Sequence, residues 1–390
     1  MRNDQPTRDS ATSMTSNNND TPRWFFWRPS RTFNVLQGVL IFLLCILLIY
    51  AYAFYRIPYS VRNVGREIFV SHIPNFAREF WVHQEPLLDY IPDSKWTEYK
   101  RLNMTEKLNL LVREKASMKD PRLIDLIRKH ILPPSDKPYA LKDPDATDYS
   151  CGQSSYINSL IMNSKEKGFF VEAGAWLGEY ASTSLFFEKS RGWNGILIEP
   201  DPTNFETLRK LNRKAFHLNA CLSTHSFPVL LKLNSASDMS RTIENKEDEK
   251  WVIDHHFDIR PYYEVPCFPL YSIMLAINQT SIDYFGLDVE GNELPILQTI
   301  PFDVLDITSM TTECLEMNTQ GRTNAAAVRT FLENKGYMCH GTIGANSGHG
   351  CFAEDFIFLK KGLVSEQYKC THVLDPFISF IANRTVQNHL

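Results

Sequence analysis

The chain has 390 residues, of which 43% are hydrophobic, 12% aromatic and 22% charged, a composition that excludes a wholly disordered, collagen-like or polytopic membrane protein. With 41 Lys+Arg against 45 Asp+Glu the formal charge is −4, so nothing electrostatic recommends a nucleic acid as partner. Eight cysteines are too few for a scaffold built on disulfides.

Residues 1–33 are rich in Ser, Thr, Asn, Asp and Arg and poor in aliphatics, which predicts a disordered, cytosolic tail. Residues 34–55 are read as a transmembrane helix. The run 35–55 carries no charge, and at about 1.5 Å per residue it matches a hydrocarbon core of about 30 Å. Trp24, Phe25 and Trp27 before it, and Tyr50, Tyr52 and Tyr55 at its end, suit the two interfaces. A cleaved signal peptide is the competing reading, with Ala51-Tyr52-Ala53 as its site, but the long preceding tail favours a retained anchor. Arg23, Arg28 and Arg31 nearly balance Arg56, Arg62 and Arg66, and Arg2 and Arg8 tip the tail to the cytosol. The triplets at Asn103, Asn278 and Asn383 lean the same way, toward a lumenal carboxy-terminal part. Beyond the span lie Cys151, Cys221, Cys267, Cys314, Cys339, Cys351 and Cys370, none at a metal-site spacing.

Residues 56–149 read as a helical stem or neck. Its clearest helix covers 120–131: Asp120 suits the N-cap, Pro121 the first helical position, and Leu123, Ile124, Ile127 and Ile131 share a face. Pro133-Pro134 ends it. Residues 150–362 form the main domain, followed by a tail at 363–390. Within the domain, apolar runs at 169–173, 195–199, 215–221, 282–289, 307–312 and 355–359 predict strands. Helical patterns fall at 180–189, 203–214, 292–300 and 324–335. Such alternation predicts an α/β fold with a doubly wound, mostly parallel sheet. The acidic insertion 235–263 reads as a mobile surface loop, with a lid as the alternative. Cys339 and Cys351 flank a Gly/Ser/His stretch and suit either a bridge or buried thiols.

Three segments carry chemistry. The first places Glu172 at a strand end, followed by Gly174, Ala175 and Gly178, where glycines admit a ligand and a helix start offers free N–H groups. The second ends the next strand with Glu199-Pro200-Asp201, and a carboxylate there accepts hydrogen bonds from ribose hydroxyls. The third, Asp288-Val289-Glu290-Gly291-Asn292-Glu293, brings Asp288 and Glu290 to the same edge on one face of a strand, to hold a cofactor or to take a proton from a hydroxyl. An acid-lined nucleoside pocket suits S-adenosylmethionine better than a pyrophosphate-bearing dinucleotide. One carboxylate of the third segment has a structural alternative as a helix cap beside Gly291. His255-His256 with Asp258 is not read as a metal site, because adjacent side chains in an extended loop rarely face one ion. No metal is expected.

The ordered set VEAGAWLGEY, ILIEPDP, AFHLNACLS and IDYFGLDVEGNELPILQ resembles the FkbM-type methyltransferase domain, a class I S-adenosylmethionine methyltransferase-like fold. That resemblance implies a cofactor loop at Glu172, Gly174, Ala175 and Gly178, cofactor contacts at Glu199 and Asp201, and an acidic, catalytic strand end at Asp288 and Glu290. It is departed from at Trp176-Leu177, whose bulk is expected in the cofactor space. With the tail, the span and the neck DPRLIDLIRKHILPPSDKPYAL, the whole arrangement resembles the Star-like family of single-pass type II membrane proteins. This second resemblance implies a membrane partner, transmembrane cargo such as growth-factor precursors, a place in the endoplasmic reticulum, Golgi and endosome, and a trafficking role. The alternative is an active O-methyltransferase acting on a glycan or lipid-linked hydroxyl, with Asp288 or Glu290 as base.

Overall fold

The computed structural model describes residues 88–162, 167–254, 257, 259–313, 325–343 and 355–363. All belong to one compact unit, His83–Leu390. The transmembrane helix expected at 34–55 and the tail before it lie outside the described residues, as do His255, His256 and Asp258. Among the described residues no helix is long and apolar enough to cross a membrane. The helices described here reach 10 residues, against the ~20 that a span needs, so none of them supplies the membrane helix expected ahead of the fold.

Three helices open the fold: α1 (Asp93–Arg101), α2 (Met104–Arg113) and α3 (Pro121–His130). Asn103 caps α2 in a reciprocal capping box with Glu106, and Asp120 accepts the Arg122 amide at 2.8 Å to start α3. Arg128, Lys129 and His130 lie in the last turn of α3, where cations suit the helix dipole. Its apolar face is buried. Leu123, Ile124 and Ile127 join the hydrophobic cluster that contains Val171, Ile196 and Phe285 of the sheet. The segment read as a neck thus shares the core of the domain. Arg128 Nε also donates to Ala276 O at 2.9 Å, and Ser272 Oγ to Met118 O at 2.7 Å.

The sheet that follows has seven strands: β1 (Phe169–Ala173), β2 (Asn194–Ile198), β3 (Phe216–Leu218), β8 (Ser281–Leu287), β9 (Asp306–Glu313), β10 (Tyr337–Ile343) and β11 (Asp355–Lys360). Their order is β3-β2-β1-β8-β9-β11-β10, parallel except for β11, which runs against both neighbours. β1 is buried at every residue, as its continuous apolar run requires of a central strand covered on both faces. The chain winds outward through β2 and β3, then returns to start β8 on the other side of β1. That reversal opens a crevice beyond the carboxyl ends of β1 and β8.

Short helices link these strands: α4 (Gln153–Ile157), α5 (Leu185–Arg191), α6 (Pro202–Arg209), α8 (Leu270–Ala276), α9 (Glu293–Thr299) and α10 (Ala325–Asn334). The polar insertion is not a bare loop. It supplies α7 (Lys246–Asp254) and part of a second sheet of four strands: β4 (Cys221–Leu222), β5 (Val229–Asn234), β6 (Arg241–Ile243) and β7 (Tyr262–Phe268). Its acidic run is anchored inward, because Asp248 pairs with buried Arg241 at 3.0 Å while Arg241 lies 4.7 Å over the Trp251 ring. Cys221 and Cys267 sit opposite each other on β4 and β7 and form a disulfide. Cys339 is a buried thiol.

If α3 is part of this core, Leu123→Ala, at a fully buried site, lowers the stability of the whole domain by about 2–5 kcal/mol. Denaturant unfolding followed by tryptophan fluorescence should show one transition moved to a lower midpoint; an unmoved midpoint would make residues 93–130 an independent appendage.

Candidate functional site

The crevice is shaped first by a close approach. Gly174 has φ 84°, and a Cβ there would lie 1.7 Å from the carbonyl oxygen of Asp288. Glycine alone lets the ends of β1 and β8 meet, which the Asp288 amide seals by donating to Ala173 O at 3.0 Å. The next amides turn inward: Gly174 and Ala175 both donate to Ile198 O, and Trp176 donates to Glu199 Oε2 at 2.7 Å. The loop therefore does not present the free N–H groups expected of it. The helix after it begins only at Leu185 and has seven residues.

The expected cofactor acids divide into two kinds. Glu172 is buried, and its carboxylate accepts from Ser182 Oγ at 2.9 Å, the Thr183 amide at 2.8 Å and Ser184 Oγ. It lines the crevice but spends its acceptors on the loop. Asp201 is fully buried as the N-cap of α6, accepting from the Thr203 and Asn204 amides and from Ser235 and Ser240, and it stands outside the cavity wall. Gly178 also lies outside that wall, with its α-carbon packed on Leu208. Glu199 does face the cavity. Its two oxygens take one backbone amide each, from Trp176 and Asp201, and burial pushes its carboxyl up to about 8.

Asp288 and Glu290 also reach the cavity, by a route the strand pattern did not anticipate. β8 ends at Leu287, so the two acids share a turn in which Glu290 adopts φ 60° and Gly291 φ 105°. Glu293 holds that turn, accepting from the Val289 and Gly291 amides at 3.1 Å each, and is the carboxylate with the structural role. Two further acids join from the neighbouring strands: Glu313 at the end of β9 and Asp355 at the start of β11, which are register partners. Oxygens of Asp288, Glu290 and Glu313 lie within 4.8 Å of one another. Looking for an acid at the end of every predicted parallel strand would have found Glu313; Asp355 enters on the one reversed strand and gave no such signal.

One cavity of about 290 Å³ is lined both by Glu199 and by this acid cluster, with Ile198, Ala220, Leu222 and Ile296 as apolar wall. Trp176, at φ 45°, does not fill it. Its indole stands at the wall, donating to Ser237 Oγ at 3.4 Å and meeting Tyr180 edge-on at 5.9 Å. Loss of water pushes up the carboxyls of Asp288, Glu290, Glu313 and Asp355, and repulsion from Glu293 and, for the first three, from others of the set pushes them further; Arg241 offsets part of this at Glu290. Asp288 opens into the cavity, and the others are buried behind it.

All these shifts are upward, so the folded chain holds protons that the unfolded chain has already released. Stability present at low pH is therefore lost as the pH rises, for Glu199 between 4.5 and about 8. The Tm of the ligand-free protein should fall across that interval, and Glu199→Gln should flatten part of the fall. A Tm that rises with pH there would contradict the assignment.

Residues 172–339 match the Methyltransferase FkbM domain. No curated protein matches the chain. Among solved structures it is similar to the methyltransferase FkbM from Methylobacillus flagellatus KT, at 12% identity and a TM-score of 0.32, over 51% of this chain and 47% of that one. It spans about half the length of that protein. A TehB-like SAM-dependent methyltransferase from Corynebacterium glutamicum is similar at 9% identity and a TM-score of 0.28, over 54% of this chain and 88% of that one. An rRNA methylase from Streptococcus thermophilus is similar at 8% and 0.28, over 53% and 94%. Likenesses this distant bear on neither substrate nor activity. The domain match corrects the Star-like reading: neither it nor the described residues support a membrane anchor, a transmembrane cargo, a trafficking role or a place in the endoplasmic reticulum, Golgi or endosome. What the match shows is that residues 172–339 are similar to the Methyltransferase FkbM domain.

Proposed function

We propose that the protein is an S-adenosylmethionine-dependent O-methyltransferase whose acceptor is a hydroxyl on a glycan or lipid-linked molecule. The observation that carries this reading is one cavity lined by both Glu199 and the Asp288–Glu290 turn. The donor set fits the cofactor. Glu199 takes one backbone amide on each oxygen and a side-chain bond from Asn204, which leaves acceptor capacity for a ribose hydroxyl. Ile198, Ala220 and Leu222 offer an apolar bed for a base, and the acids opposite favour a cation. The amides of Gly174, Ala175 and Trp176 are already engaged, which suits a ligand without phosphates.

When bound, the cofactor supplies an electrophilic methyl group on a sulfonium sulfur. The chain's own residues position and deprotonate. Glu172 and the glycine contact at Asp288 hold the two rims of the crevice in register. The Trp176 indole, fixed against Ser237, covers one side and limits water. Asp288, open to the cavity, is the proton acceptor for the acceptor hydroxyl, and loss of water together with repulsion from Asp355 and Glu293 raises its basicity.

Calorimetric titration of the full chain with S-adenosylmethionine and its demethylated product tests this reading. Micromolar binding is expected above about pH 8, where Glu199 is ionised, and Glu199→Gln, which removes that charged acceptor, should weaken it there about tenfold or more. Asp201→Ala should leave affinity unchanged while costing about 1 kcal/mol of stability as a lost helix cap. Binding should tighten as the pH rises past about 8, where Glu199 ionises. A folded protein that binds neither compound at millimolar concentration would sink the proposal.

A further inference from the structure

We infer that Asp288, Glu290 and Glu313, backed by Asp355 and Gln153, form a binding site for one divalent cation of the hard, oxygen-seeking class. The proposal goes beyond methyl transfer and does not depend on it. The three carboxylates come from two segments, the turn after β8 and the end of β9, and converge until one oxygen of each lies within 4.8 Å of the others. A cation bound at about 2.0–2.6 Å from each of several oxygens requires spacings of this size.

The acids alone would not make the case; the wall behind them adds to it. Asp355 is 6% exposed, and its Oδ1 has no hydrogen-bond partner. Gln153 is 5% exposed, and its Oε1 has none either. Both residues line the same cavity as the three acids. The Gln153 amide is oriented by its other atom, since Nε2 donates to Asp355 Oδ2 at 2.7 Å, which leaves the carbonyl oxygen of one and a carboxylate oxygen of the other unsatisfied. Buried acceptors in such numbers need a donor or a cation.

Protein charge meets that need only in part. Arg241 offsets some of the charge at Glu290, with its Nη2 paired to Asp248 at 3.0 Å, its guanidinium over the Trp251 ring and its buried Nε and Nη1 without a hydrogen-bond partner. The unpartnered oxygens of Asp355 and Gln153 have no such cation beside them among the ion pairs of the described residues. Every donor in the set is oxygen, from carboxylates and one amide, which selects Mg²⁺, Ca²⁺ or Mn²⁺ over zinc or copper. Asp288 faces open cavity, so part of the coordination shell is left to water. A hydroxyl-bearing acceptor could take one of those positions, and that last step alone rests on the proposed methyl transfer.

The test uses purified full-length protein without S-adenosylmethionine, titrated with Mn²⁺ and read by loss of the free-ion paramagnetic resonance signal. One saturable site is expected, displaced by Ca²⁺ or Mg²⁺ and accompanied by a rise in Tm. Glu313→Gln should weaken it at least about tenfold and Asp355→Asn by a smaller factor. Asp288→Asn, on the cavity surface, is the second ligand variant should Glu313→Gln not fold. Protein that melts cooperatively yet takes up no Mn²⁺ at millimolar concentration would overturn the site, as would uptake indifferent to the ligand variants. Variants that raise Tm without any uptake in the parent would mean that protons hold the acids together. Uptake without cofactor binding would defeat the methyltransferase reading and leave the cation site standing.

Discussion

The carboxylate of Glu172 is the point from which the crevice is built. It leaves the end of β1, where the other four strand residues are apolar, and is satisfied by donors from Ser182, Thr183 and Ser184. Ser182 and Ser184 are held from the other side by Arg213, which also reaches the carbonyl of Gly178. Arg213 in turn pairs with Glu188 at 2.9 Å, both side chains fully buried. Removing one member of such a pair strands a charge and costs about 3–5 kcal/mol. The loop 174–184 has one path open to it, and that path puts Trp176 and the backbone at Gly174 where the cavity needs walls.

Much of this was legible in the residues, for identifiable reasons. β1 runs from Phe169 to Ala173 as its apolar run predicted, because a central parallel strand has no solvent face to blur the pattern. The helix at α3 was marked by Asp120, Pro121 and its apolar face. The second sheet was not visible. β5 and β7 mix apolar with polar residues and pair across a long insertion, so their partners are set by tertiary contact rather than by local pattern. Among the site residues, Glu199, Asp288 and Glu290 reach the cavity, whereas Asp201 and Gly178 serve the start and packing of α6. An acid beside a strand end looks the same in sequence whether it faces a ligand or caps a helix; the difference lies in which amides come within reach. Glu313, Asp355 and Gln153 belong to segments far apart in the chain and are gathered only by the sheet order.

The second sheet matters to the site because it supplies a wall. Leu222 and Leu233 line the cavity from β4 and β5, and Ser237 and Ser240 come from the segment before β6. Cys221 lines it too, and its bond to Cys267 ties the two-residue strand β4 to the seven-residue strand β7. A strand as short as β4 has little hydrogen bonding of its own to keep it in place. The insertion that appeared to be surface decoration is thus a structural side of the crevice.

The gathering of acids from three strands has an evolutionary consequence. Asp288, Glu290, Glu313 and Asp355 repel one another at close quarters, so neutralising any one changes the field felt by the rest. Substitutions among them are not independent events, and their effects will not add. In descendants of this chain the four positions should drift together or not at all, so a lineage that loses one acid is under pressure to lose or re-pair its neighbours, while the surface of α7 remains free to vary.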